Sequence, residues 1–474
     1  MTPALSFAAA PLRSSPERSP GSRLDAILFY GVFGLLLFGP TAFGAVESWS
    51  IAILQVGVSL LFALWAVRQV AAGELEIAGT PLFFPTLLFA GLILWQVASG
   101  RTAYWAVTFS AFLLYCAYGL LCFLAVQCLR RTSQVKTLAW MLSIYGFAVA
   151  MLALMQGIAS NGKLYWLRTP QSGGWIYGAY VNHNHYAGLM EMLTPIPLVI
   201  SFLGGVRGPR KALAVLAAAV MASTIFLSES RGGMAAFAAQ MTLLAAFLLT
   251  RRKNWTATLA LACFLSIAVG LLAWLGGDEL AERLASVHSG TRVELSGGTR
   301  LTIDRDALKM FAQKPLLGWG LGVFPEIYPQ FSSLSTNLPV GAAHNDYLQL
   351  LVEMGALGFA AVLWFLLTLF RSALRKLKHR PPGTNTAVTL AAVLGITGIL
   401  VHSLVDFNLQ IPANAALFYV LCVLAAMEPR FGRHSFLAPR PGPYSAQILT
   451  MDNTPVPPLS IPQPALSISY LPER

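Results

Sequence analysis

The chain has 474 residues, of which 56% are hydrophobic and only 11% charged, with a mean hydropathy of +0.63. A soluble domain carries about 25% charged residues, so a water-soluble globular fold is excluded and an all-α polytopic membrane protein is expected. The net charge of +12 would suit a nucleic-acid partner, but the basic residues are distributed as membrane topology requires, and no nucleic acid is called for.

Residues 1–24 are rich in Ser, Pro and Arg and are expected to be a disordered N-terminus. The apolar run from Ala26 is too long for the core of a signal peptide and reads as an uncleaved first helix. Between 25 and 428 the sequence offers about twelve runs of membrane length: 25–45, 48–68, 82–98, 104–128, 136–158, 184–204, 211–229, 232–250, 255–275, 346–370, 386–404 and 411–428. Alternate connections carry Arg68, then Arg130, Arg131 and Lys136, then Arg207, Arg210 and Lys211, then Arg251, Arg252 and Lys253, then the stretch from Arg371 to Arg380. With the two termini, these hold most of the Lys and Arg, so both termini are expected to be cytoplasmic. Residues 429–474 are Pro-rich and lack apolar periodicity, as in a disordered cytoplasmic tail. Cys116, Cys122, Cys128, Cys263 and Cys422 all fall in apolar runs, so no disulfide framework is expected.

This orientation sends two polar segments to the opposite face, the periplasm of a bacterium. One spans 159–182; the other is a long loop, 276–345, in which Thr299–Gln313 reads as a helix with Leu301, Ala307, Leu308 and Phe311 on its apolar side. The chemistry-bearing residues gather on this same face. Asn182-His183-Asn184-His185 opens one span, and Ser228-Glu229-Ser230-Arg231-Gly232-Gly233 makes a minimal turn between two others. Arg300 and Arg305 lie in the loop helix, and His344 precedes a helix that Asn345 or Asp346 would cap.

Positive anchors belong on the cytoplasmic side, so Arg231 in an external turn leans towards function, although a snorkelling anchor or a pair with Glu229 is the structural alternative. A guanidinium donates a bidentate fork that suits phosphate oxygens, and Arg300 and Arg305 offer the same chemistry. Asp346, Gln349 and Glu353 share one helix face, which must look into the bundle or a wet cavity. His344 is the natural general base, the alternative being a structural histidine at a helix start. His402 and Asp406, four apart, read first as a buried pair locking the bundle and second as support for the site. A metal held by His183, His185 and His344 is disfavoured because alternate histidines diverge along a helix start. Gly318-x-Gly320-x-Gly322 is a turn, with no strand–helix unit around it that would bind a dinucleotide. There is no P-loop and no Gly-x-Ser-x-Gly, so nucleotide-driven chemistry is not expected, and no cofactor is called for.

These residues resemble the O-antigen ligase and O-antigen polymerase superfamily of bacterial membrane transferases. The strongest likeness is His344-Asn345, nine residues, then Gly355-Ala356-Leu357-Gly358. Before it come Thr299-Arg300 and Lys314-Pro315-Leu316-Leu317-Gly318-Trp319-Gly320, similar to the family's loop, with Ser230-Arg231-Gly232 and Asn182-His183-Asn184-His185-Tyr186-Ala187 in the family's order. The likeness covers about 180–410. It implies a twelve-helix inner-membrane enzyme that moves a glycan from a polyprenyl-diphosphate carrier to a lipid or glycan acceptor at the periplasmic face. By this resemblance His344 is the catalytic base and Arg231 and Arg300 bind the diphosphate; Arg305, Asn182, Asn184, Asn345 and Glu353 are candidate substrate contacts. The Arg-x-x-x-Leu pattern of the ligase loop is met at neither Arg300 nor Arg305, which leaves the loop role open between them. A polysaccharide polymerase using the same donor is the nearest alternative. A lipid-linked glycan flippase or transporter is the alternative from another class, though no internal repeat supports it.

Overall fold

Where water is absent every backbone polar group needs an internal partner, so the apolar runs close into helices. The computed structural model describes residues 20–73, 75–169, 176–250, 261, 264–265, 297–334 and 340–427. In chain order the helices are α1 Pro20–Thr41, α2 Ser48–Ala72, α3 Phe83–Ala98, α4 Trp105–Cys128, α5 Thr132–Ile158, α6 His183–Leu193, α7 Pro195–Leu203, α8 Pro209–Leu227 and α9 Arg231–Thr250. They continue with α10 Gly297–Gln313, α11 Asp346–His379, α12 Thr384–His402 and α13 Pro412–Ala426. Among the described residues there is no strand, only the isolated bridges Leu164–Arg168 and Tyr177–Tyr180.

Nine stretches among the described residues are long and apolar enough to cross a membrane, α6 and α7 together making one, and α3 and α13 are shorter apolar helices. They account for every expected span except 255–275, of which only 261, 264 and 265 are among the described residues; 1–19, 276–296 and 428–474 lie outside them. The most buried stretches are α6–α7, at 89% of its apolar window, and α12, at 67%, against 22% for α2. These two are therefore the middle of the bundle, packed against each other and against α5, α8, α9 and α13. Central position explains why they can carry Glu191, His185 and His402: each is buried among protein rather than in lipid.

α11 departs from the expected continuous helix. Its backbone breaks at Gly355, where φ is +63° and ψ −169°, and the loop segment 315–320 fills the gap. Trp319 N and Gly320 N donate to the Val352 and Glu353 carbonyls, both at 2.9 Å, while Ala356 N and Leu357 N donate to Pro315 and Leu316, at 2.8 and 3.2 Å. Gln96 of α3 adds its amide to Leu317 O at 2.6 Å and Glu353 O at 3.1 Å. The two strands of backbone satisfy one another as broken membrane helices must.

The loop has a small core of its own: Ile303, Ala307, Met310, Val323, Phe324, Ile327, Tyr328, Ala343 and Val352. Of the expected apolar side, Ala307 is buried and Phe311 packs beside it, whereas Leu301 and Leu308 are exposed. α10 carries two apolar stripes, and the segment 323–331 covers the one running through Ile303, Ala307 and Met310. Asp306 ties this core together. Its Oδ1 accepts from Lys309 Nζ at 2.8 Å and Ser333 Oγ at 2.7 Å, and its Oδ2 from the Ser333 amide at 2.7 Å and the Tyr328 hydroxyl at 3.3 Å.

Burial alone would raise the Asp306 carboxyl, but these bonds outweigh it and hold the group below its ordinary value. A carboxyl lowered on folding stabilises above its unfolded pKa of about 4 and loses that contribution as pH falls through the folded value. Hydrogen-exchange protection of the Ser333 amide is therefore expected to be high near neutral pH, to fall below about pH 4, and to be low at both in D306N. Equal protection in D306N and wild type would remove this role.

Candidate functional site

His344 sits in the left-handed region at φ +52°, a conformation that costs a non-glycine residue about 1–3 kcal/mol and tends to mark working residues. The turn is held from both sides. Asn345 caps α11, its Oδ1 accepting from Tyr347 N at 3.1 Å and Leu348 N at 3.2 Å, so of the two expected caps it is the one used. Asp346 N donates to Ser403 O at 3.0 Å, and the Asp346 carboxylate accepts from Ser403 Oγ at 2.7 Å, Leu409 N at 3.1 Å and Gln410 Nε2 at 3.4 Å. Gln349 Oε1 accepts from Ala343 N at 3.1 Å.

Asp406, whose side chain is 1% exposed, lies beside His344. Its Oδ1 is 3.7 Å from His344 Nδ1 and 3.8 Å from His185 Nε2, just beyond hydrogen-bond reach of both, and accepts from Phe407 N at 2.7 Å. The Phe407 ring stands edge-on to both imidazoles, with centroids 4.7 Å from His185 and 4.8 Å from His344. Burial opposes charge on Asp406, yet the surrounding His344, His185 and His402 hold its carboxyl well below the usual range. A carboxylate facing Nδ1 favours the proton there and leaves Nε2 with a free lone pair, the state a general base needs.

His402 and Asp406 do not pair with each other's side chains, although spacing suggested it. His402 turns the other way, its Nδ1 2.8 Å from Glu191 Oε1 and its Nε2 3.4 Å from Ser230 Oγ. The 402–407 turn is thus a hub. Gly232 lies against the His402 ring and Val405, with no room for a Cβ; Arg300 donates Nη1–H to Val405 O at 2.7 Å; Asp406 faces His185 and His344. His183 Nδ1, 2.6 Å from Ser228 O, fixes the other end of the Ser230 turn.

Arg231 and Arg305 are exposed and make no ion pair among the described residues. Arg300 is half-buried and, among the described residues, engaged through Nη1. Asp304 stands near it: burial pushes that carboxyl up, against the pull of His344 and Arg300. So His344, Arg300 and the Arg231 turn converge on one hub. Arg305 shares α10 with Arg300 but stands further along it, on an exposed position.

The remaining expected contacts serve the framework here. Asn182 Oδ1 caps α6 by accepting from Asn184 N at 2.8 Å, and Asn184 is buried in the first turn. Glu353 is buried and accepts from Gly322 N at 2.8 Å, Phe324 N at 3.3 Å and Gln349 Nε2 at 3.1 Å, holding the loop onto α11. Among the described residues no group of three or more His, Cys, Asp or Glu is arranged to hold a metal ion. Below the Asp346 corner, α3, α4, α11 and α13 enclose a space of about 1100 Å³ including its mouth, lined by apolar and aromatic residues such as Phe89, Tyr115, Tyr118, Phe365 and Tyr419. Asp346, Ser403 and Gln410 form its polar edge.

The arrangement defines a multi-pass helical membrane protein with a polar site built where several helix ends meet a folded loop. Residues 216–363 match the O-antigen ligase family, which supports the O-antigen ligase superfamily for this part of the chain. The match supports a glycan-transfer role in lipopolysaccharide biosynthesis. It takes in Arg231, Arg300, Arg305, His344 and Glu353; Asn182, His185 and Asp406 lie outside it. No curated protein matches the chain.

Proposed function

We propose that the protein transfers a glycan from a polyprenyl-diphosphate carrier to the hydroxyl of a lipid A–core or similar acceptor at the periplasmic face of the inner membrane. The observation that carries this reading is His344 with Nδ1 turned to the Asp406 carboxylate, on the same hub as Arg300 and the Arg231 turn. The acceptor O–H gives its proton to His344 Nε2 as its oxygen bonds to the anomeric carbon. The bond from that carbon to the diphosphate oxygen breaks, and the lipid diphosphate leaves with the electron pair. Arg231, with Arg300 or Arg305 from the loop, meets the charge that develops on it. One displacement inverts the anomeric centre. The diphosphate already activates the sugar, so nothing in the step draws on ATP. The aromatic cavity beside the Asp346 corner suits the carrier's hydrocarbon chain.

The test is reconstitution of the purified chain with a polyprenyl-diphosphate glycan and a panel of acceptors. A glycan joined to lipid A–core is the expected product. Lengthened glycan still on its carrier would instead identify a polymerase, and movement of intact donor across the bilayer without a new bond would identify a transporter.

A further inference from the structure

Asp406 Oδ1 stands between two imidazoles at matched distances, 3.7 Å to His344 and 3.8 Å to His185. His185 Nε2, His344 Nδ1 and Asp406 Oδ2 are all buried atoms without a hydrogen-bond partner. Buried polar atoms are rarely left so, and the two imidazole nitrogens on either side of one carboxylate mark a shared polar interaction. The Phe407 ring stands edge-on to both imidazoles, and Oδ1 lies beyond hydrogen-bond reach of each, so closing on one draws that oxygen from the other. His185 carries little of the frame among the described residues: its carbonyl receives Asn414 Nδ2 at 2.9 Å, while its ring faces Asp406 and Phe407.

We propose that His185 is a positioning residue for His344: by competing for the one Asp406 oxygen between them, it keeps His344 from being held in its protonated form. The proton an acceptor hydroxyl delivers to His344 Nε2 puts a charge on that ring, and Asp406 then swings to its Nδ1–H. When the proton leaves, Asp406 returns to His185 Nε2–H. No covalent bond beyond N–H and O–H is involved, and the carboxylate keeps its charge throughout. Other charged or titratable groups facing this set are Arg300 and Asp304 from α10, Asp346 from α11, His402 from α12, and His183 and Glu191 from α6. All remain in the variants below, so they do not create the expected difference.

The sign follows from Coulomb attraction. Without His185, the whole Asp406 charge acts on His344, which then keeps its proton to higher pH. The inference rests on the His344 base, so its test is chosen to need neither donor nor acceptor. Diethylpyrocarbonate acylates neutral imidazole, and peptide mass spectrometry reads His344 apart from the other histidines, as a function of pH, in the full chain in detergent. The half-point for His344 is expected to rise by about one pH unit in H185F, a tenfold change, and to stay within about 0.3 unit of wild type in H185Q, whose amide still donates to Asp406. H185S, which removes the imidazole without filling its space, gives the same rise and carries the test where H185F does not fold. In D406N the half-point falls, and H185S adds no further shift to it. A wild-type half-point in folded H185F or H185S overturns the proposal, as does an equal rise in H185Q. If the half-point moves while the acid limb of transfer does not, His344 is not the base, and the coupling to His185 stands.

Discussion

His344→Ala is expected to lower glycan transfer by about 10²–10⁴-fold, the usual worth of a positioned general base, with the protein still folded and inserted. The second half of that expectation follows from what His344 touches. Its side chain is 16% exposed and its ring meets Phe407 edge-on, but the bonds that hold the turn come from Asn345, Asp346 and Gln349. Removing the imidazole therefore takes away the proton acceptor and leaves the frame. Alanine keeps the φ strain that His344 carries, so H344N is the better control, because asparagine tolerates a positive φ. Both variants should match wild type in thermal unfolding to within about 1–2 kcal/mol, while both lose transfer. Initial rates in the reconstituted assay, at saturating donor, decide the matter. A folded H344N that transfers at the wild-type rate removes His344 from the chemistry.

How much of this was legible beforehand divides along physical lines. The spans were readable because membrane length and the hydrogen-bonding demand of lipid leave little freedom. A cap at Asn345 or Asp346 and α10 as a helix followed from local rules that hold in any fold. The buried Asp346–Gln349–Glu353 face followed from helical spacing and the cost of polar groups in lipid. What stayed hidden needed partners from distant parts of the chain. The spacing of His402 and Asp406 placed them on one helical face, but α12 ends at His402, and the two side chains turn to different neighbours, Glu191 and the pair His185 and His344. His185 could be seen only as one of two alternate histidines; its nearness to Asp406 arises from α6 packing against α12. Glu353 looked like a site residue because a buried acid in a membrane helix demands a reason, and here loop amides supply one.

The break in α11 was the largest feature out of view, and it carries the second large effect. Gly355→Ala is expected to cost about 4–8 kcal/mol, enough to remove most of a domain's stability of about 5–15 kcal/mol. The backbone there has φ +63°, a strain of about 1–3 kcal/mol for alanine. A Cβ at that point would also overlap the Leu316 carbonyl and Leu317 amide, which are backbone and cannot rotate aside. To make room, segment 315–320 must lift, and the bonds joining it to Val352, Glu353, Ala356 and Leu357 weaken in surroundings with little water, at about 1–3 kcal/mol for each group left unpaired. Gly318 closes the same contact from the other side, since its Cβ would meet the Glu353 carbonyl. Gly119 in α4 makes the comparison sharp: a Cβ there meets nothing within 4 Å, so G119A should be far milder than G355A. Thermal unfolding and yield of monodisperse protein in detergent measure both. Equal stability of G355A and wild type would mean that the loop segment does not seat in the break. The same lift would release Gly322 and Phe324 from Glu353, so partial survivors of G355A should also lose protection at those two amides.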